Sequence, residues 1–250
     1  MTFLYSVFLV LILSLVLANN VFAVESGESQ TRQQGLKFEA QIVKTVRLNY
    51  LLFLPEDYGK DAEKQWPLLL FLHGMGERGD DLERVKVHGP PKIVEQREDF
   101  PFIVVSPQCP GTSRWTGEVE ALNALLDDVV AKHSVDEDRI YLTGLSMGGF
   151  GTWSLATMYP ERFAAIAPIC GGGDPKKANA IKDIPVWVFH GAKDETVPPE
   201  RSEEMVNALK EVGADVQYTL YPDAGHDSWT ETYDNPKLYE WFLKHKRKKQ

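Results

Sequence analysis

The chain has 250 residues, enough for one large α/β domain or two small ones, and 43% of them are hydrophobic, so a sizeable core can be buried. A formal net charge of −9 argues against a nucleic-acid binder. No repeat with a period of about 20–50 residues stands out, which argues against solenoids and propellers.

Residues 1–24 carry no charged side chain, and 3–18 (FLYSVFLVLILSLVLA) are almost wholly apolar. Small side chains at Val21 and Ala23 then match the −3 and −1 positions of a cleavage site. Residues 1–23 read as a secretory signal peptide, giving a secreted or periplasmic protein. One departure is an n-region without Lys or Arg. The competing reading is an uncleaved anchor, since about 20 apolar residues can span a bilayer. Residues 24–35 are polar and read as a flexible leader, and 36–250 read as one domain with no internal linker.

From Leu36 the chain alternates strand and helix signals. Residues 37–43 and 46–54 suggest two adjacent antiparallel strands. The run 67–72 (PLLLFL) is wholly apolar, as expected of a strand buried on both faces. Strands are expected in the same style at 102–105, 140–143, 163–168, 186–189 and 216–221. Helical patterns occupy 119–133, 150–159, 200–212 and 236–246. About eight strands alternating with helices predict an α/β fold, a mostly parallel sheet covered on both faces.

Within this pattern Gly144-Leu145-Ser146-Met147-Gly148 falls between a strand and a helix. A bare G-x-S-x-G is common in loops, and its simplest reading is a Gly-Ser turn. On a strand-to-helix turn, however, flanking glycines let a strained serine project from the sheet edge, and the helix N-terminus favours developing negative charge. Ser146 is therefore the candidate nucleophile.

A serine needs a base, and the base needs an orienting acid. Of the six histidines, His88 and His245 lie in polar surroundings and read as solvated. His133 ends a helix. His73 and His190 end buried strands and read as hydrogen-bonded structural residues. His226 lies in YPDAGH, a loop after the last strand, and is the candidate base. The acid is expected between serine and histidine, and Asp194, in the loop after the strand at 186–189, fits that order. Asp223 reads as a turn former. Donors for an oxyanion are the backbone N–H groups of Met147, just after the serine, and Met75, in the Gly-rich loop HGMGERG. Trp115 and Trp229 are candidate substrate contacts, with ordinary packing the alternative for each. The connection 74–99 is the one long segment available as a lid, and it is charged.

The cysteines, Cys109 and Cys170, follow strands with two others expected between them, about 14 Å at about 4.8 Å per strand. A disulfide needs Cα atoms within about 7 Å, so only loop excursions could join them. No Cys/His cluster has ligand spacing, so no metal or other cofactor is expected. The basic end, Lys244 to Lys249, reads as the frayed end of the last helix.

The segments FLHGMGERGDD, SPQCP with Trp115, RIYLTGLSMGGFGTW, PICGGGD, IPVWVFHGAKDETVP and YPDAGHDSW, in this order, resemble the α/β-hydrolase superfamily. The similarity is greatest to serine esterases near the dienelactone hydrolase and phospholipase/carboxylesterase groups. The resemblance implies an α/β-hydrolase fold, a triad of Ser146, Asp194 and His226, and an oxyanion hole from the backbone of Met75 and Met147. It implies hydrolysis of carboxylic esters through an acyl-enzyme. Dienelactone hydrolases proper use a cysteine nucleophile, and Ser146 in that place favours ordinary esters. Small or soluble esters are expected, including acyl groups on polysaccharides, with no nucleic-acid partner and no stable membrane span after cleavage. Two rivals remain open: a serine peptidase of the prolyl-oligopeptidase type, and a non-catalytic binding protein on the same scaffold.

Overall fold

The computed structural model describes residues 36–40, 43–97 and 99–247. The expected signal peptide and the whole of the expected leader lie outside them. The chain divides at Val43. In the first unit the described residues, 36–40 and 43, form neither helix nor strand, and Leu36, Phe38 and Val43 are exposed. The second unit, Lys44 onward, is an α/β domain. Among the described residues no helix is long and apolar enough to cross a membrane.

Seven strands form one sheet: β1 (Asn49–Phe53), β2 (Trp66–Leu72), β3 (Ile103–Gln108), β4 (Val135–Leu145), β5 (Ala165–Ile169), β6 (Val186–Gly191) and β7 (Val216–Tyr221). The order is β1-β3-β2-β4-β5-β6-β7. Only β1 runs antiparallel, against β3, and every other pairing is parallel. The mostly parallel α/β sheet is as expected, with seven strands among the described residues against the expected eight or so. Of the two strands expected at the start, the second forms as β1. Of residues 37–43, the described ones, 37–40 and 43, form no strand, and Phe38 and Val43 are exposed.

The apolar run of β2 explains why the sheet is covered twice. Leu68, Leu70 and Leu72 point to one face, where they join Leu122, Leu126 and Val129 of α2 (Val119–Lys132), Trp153 and Leu155 of α3 (Met147–Met158), and Met205 and Leu209 of α4 (Glu200–Glu211). Leu69 and Phe71 point to the other. There they meet Tyr233 of α5 (Trp229–Asp234) and Leu238 and Phe242 of α6 (Pro236–Lys244), with Ile93 of α1 (Gly89–Val94) alongside. A strand with alternating polarity could not occupy this place, because either face would bury charge.

The connection after β2 runs toward β3 and the one after β4 runs toward β5, so the strand order reverses between these two neighbours. Such a switch point leaves a crevice beyond the carboxyl ends of the strands, where open α/β sheets bind ligands. The segment at 74–99 is not one open loop: it contains 3-10 turns at Met75–Glu77 and Leu82–Val87, then α1. Of the basic end, residues 244–247 are described, and Arg247 is held there: its guanidinium lies 3.1 Å from Asp138 and donates to the Glu161 carbonyl at 2.7 Å.

Candidate active site

Ser146 sits at the switch point, between β4 and α3, with φ 52° and ψ −115°. A left-handed φ on a residue with a side chain costs about 1–3 kcal/mol and persists only where the surroundings enforce it. The enforcement is local. The Ser146 N–H donates to the Ile169 carbonyl at 3.0 Å, and its own carbonyl accepts from Phe150 at 3.1 Å. A Cβ on Gly148 would overlap the Leu72 carbonyl oxygen, and one on Gly144 would stand 2.5 Å from the Gly148 carbonyl oxygen. The two glycines are thus needed for close backbone approach.

Three predicted side chains meet here. His226 Nε2 lies 2.9 Å from Ser146 Oγ, and His226 Nδ1 lies 2.7 Å from Asp194 Oδ2. The carboxylate faces Nδ1, so Nδ1 carries a proton and Nε2 is left to accept from the serine hydroxyl. Asp194 has no exposed side-chain surface. Its Oδ1 accepts the N–H groups of Thr196 and Val197, both at 2.9 Å. Burial pushes its carboxyl up, but the hydrogen bonds from His226, Val197 and Thr196 outweigh burial and hold its pKa below the ordinary value.

Met75 is the first residue of its 3-10 turn and Met147 the first of α3, so neither N–H has an acceptor inside its own helix. The Met75 loop is pinned from below. His73 Nδ1 donates to the Gly74 carbonyl at 2.6 Å, and His73 Nε2 accepts the Cys109 N–H at 3.0 Å. Burial lowers the His73 pKa to about 4, which keeps this ring neutral and its two nitrogens in opposite roles. The Gln108 amide donates to the carbonyls of Glu77 and Asp81, both at 2.8 Å.

The serine and histidine open into a cavity of about 580 Å³, whose walls include Met75, Glu77, Phe150 and Trp229. Trp229 lines it, with its ring edge-to-face against His226 at 5.2 Å. Trp115 does not. It is fully buried, donates its indole N–H to the His73 carbonyl at 2.9 Å, and packs beneath Gly151. Its neighbours Arg114 and Thr116 reach the cavity instead. His88, read as solvated, is a cavity residue whose ring stands 5.5 Å from Trp229. Its position just before α1, under the Trp229 ring, has no signal in local sequence.

The remaining candidates settle simply. Asp223 pairs with Lys193 at 2.7 Å on the surface. His190 is buried and bonded, as expected of a structural residue. Cys109 and Cys170 are both free and buried, and β2 and β4 lie between the strands they follow. Among the described residues one cluster has metal-ligand spacing, Cys170, Asp194 and His226, with ligand atoms within 4.8 Å of one another. Burial pushes the Cys170 thiol up to about 12, and the other two groups already bond each other, so the cluster is accounted for by the hydrogen-bond chain.

Comparison with known proteins agrees with this architecture. A solved thermostable esterase is 38% identical, with a TM-score of 0.71, covering 81% of this chain and 60% of that one. A bifunctional acetylxylan esterase/xylanase of Neocallimastix patriciarum is 28% identical over 182 residues, 70% of this chain and 26% of the relative. "Probable feruloyl esterase C" of Aspergillus terreus is 29% identical over 161 residues, 63% of this chain and 59% of the relative. The chain thus spans less than two thirds of each of these proteins. The pattern of the dienelactone hydrolase family matches residues 39–240, and the chain belongs to that family.

Proposed function

We propose that the protein hydrolyses carboxylic esters through an acyl-enzyme on Ser146. The observation that carries this reading is the unbroken chain from Ser146 Oγ through His226 to Asp194, at 2.9 and 2.7 Å, opening into a cavity at the switch point. His226 Nε2 takes the serine proton as Oγ attacks the ester carbonyl. Asp194 holds the ring and balances the imidazolium charge. The N–H groups of Met75 and Met147 receive the oxyanion, and loss of one such donor costs about 10²–10³-fold in rate. His226 then gives its proton to the departing alcohol. Water, activated by the same ring, releases the acid.

The substrates are small or soluble esters, including acyl groups carried by polysaccharides. Support comes from the Met75, Phe150 and Trp229 walls, which suit an acyl group, and from the esterase names of the relatives. Residues 1–23 act as an export signal and place the enzyme outside the cytoplasm, where such polymers are found. Turnover of p-nitrophenyl acetate through octanoate, and of acetylated and feruloylated xylo-oligosaccharides, tests the reading beside Ser146→Ala. Wild-type turnover that the variant loses supports it. Equal turnover by both, or none by either, removes it.

A further inference from the structure

His190, the last residue but one of β6, has no exposed surface and does not line the cavity. Its Nε2 lies 3.1 Å from Asp194 Oδ2 and 2.8 Å from the Val197 carbonyl oxygen. Both neighbours are acceptors, so Nε2 carries a proton and donates. Its Nδ1 lies 2.7 Å from Ser202 Oγ, on α4, and that oxygen lies 3.1 Å from the Gly171 carbonyl. Ser202 Oγ, whose hydroxyl donates to that carbonyl, thus ties the His190 ring to the Gly171 backbone. Gly171 in turn packs against Gly149 and Phe150 at the start of the serine's helix.

Asp194 Oδ2 accordingly receives two imidazoles, His226 at 2.7 Å and His190 at 3.1 Å. The two N–H bonds to Oδ1 come from residues just after Asp194 in the same loop, so they bind the carboxylate only to its own segment. His190 alone among these donors fastens it to the sheet. A role confined to packing would not need a polar ring whose two nitrogens are both engaged in this buried position.

We propose that His190, set by Ser202, is a positioning residue of the ester-hydrolysis site: it fixes the Asp194 carboxylate so that Oδ2 stays aimed at His226. This rests on the triad reading above. The reaction then runs with a fixed acid at the end of the proton path. Without the second imidazole, the loop at 194–197 turns as a unit and the His226 ring loses its orientation.

The test compares His190→Leu, which removes the donor at similar volume, with His190→Gln, whose amide N–H reaches the former Nε2 position. Wild type and Ser146→Ala are run beside them on p-nitrophenyl acetate. His190→Leu is expected to lose about 10–100-fold in kcat, the range of one hydrogen bond to a charged group, with KM unchanged. His190→Gln is expected to recover most of that loss. The low-field NMR signal of the His226 Nδ1 proton should shift in His190→Leu and stay near the wild-type position in His190→Gln. A folded His190→Leu with wild-type kcat overturns the proposal. So does equal impairment of both variants with the His226 signal unmoved. Should His190→Leu fail to fold, Ser202→Ala decides: a several-fold loss in kcat with a displaced His226 signal supports the role, and no change in either removes it. Activity surviving in Ser146→Ala would instead overturn the triad reading itself.

Discussion

Replacing Asp194 by asparagine changes one atom, and the surroundings dictate how the new amide must sit. The Thr196 and Val197 N–H groups both point at the Oδ1 position from 2.9 Å, so the amide oxygen must occupy it. The NH2 group then falls at the Oδ2 position, facing His226 Nδ1 and His190 Nε2. His226 Nδ1 has to become an acceptor, which moves the ring proton to Nε2, opposite Ser146 Oγ. A base already protonated on that side cannot take the serine proton, and kcat should fall by about 10⁴-fold. At His190 a donor meets a donor in a buried site, costing about 1–3 kcal/mol. In a domain of this size that lowers Tm by about 2–12 °C. Turning the amide over brings no relief, because NH2 would then face two backbone N–H groups. The assay is p-nitrophenyl acetate turnover together with thermal unfolding followed by circular dichroism. A folded Asp194→Asn variant less than about tenfold slower than wild type would refute this reasoning.

The pH dependence of stability follows from the same carboxylate. Its folded pKa lies below the ordinary 3.8, so its contribution is present above that value and is lost as pH falls through the folded one. The urea midpoint of the wild type should drop below pH 3.8 more steeply than that of Asp194→Asn, which has no group there to titrate. Gly148→Ala should destabilise the fold by about 3 kcal/mol in urea titrations, the upper range for overpacking, because the new methyl meets backbone and not a yielding side chain. Trp115→Phe leaves the His73 carbonyl without its donor and should cost about 1–3 kcal/mol with KM unchanged, since the ring does not reach the cavity. Trp229→Ala should raise KM and lower kcat together, because that ring both lines the cavity and supports His226.

The sheet was legible from strands such as β2, whose PLLLFL run is apolar throughout and admits no amphipathic reading. The turn at Ser146 was legible because close backbone approach leaves glycine as the tolerated residue on either side. Chain order and the sheet's carboxyl edge singled out Asp194 and His226 among the acids and histidines. What was not legible depends on where a side chain turns after the strand ends. Trp115 and His88 are both in segments near that edge, yet the first points into the core and the second into the cavity, and both choices are made by residues distant in sequence. Helix α5 is only six residues long, too short to show a period. At His190 the sequence indicated a structural ring, but its bond to Asp194 depends on the loop closing back on β6.

The central claim is that Ser146 carries the acyl group. Reaction with a fluorophosphonate, followed by intact-mass measurement and peptide mapping, tests it most directly. One adduct per chain, on Ser146, with loss of ester turnover in step with labelling and no adduct in Ser146→Ala, is the predicted result. Turnover that persists in the fully labelled protein, or an adduct that maps elsewhere, would contradict it.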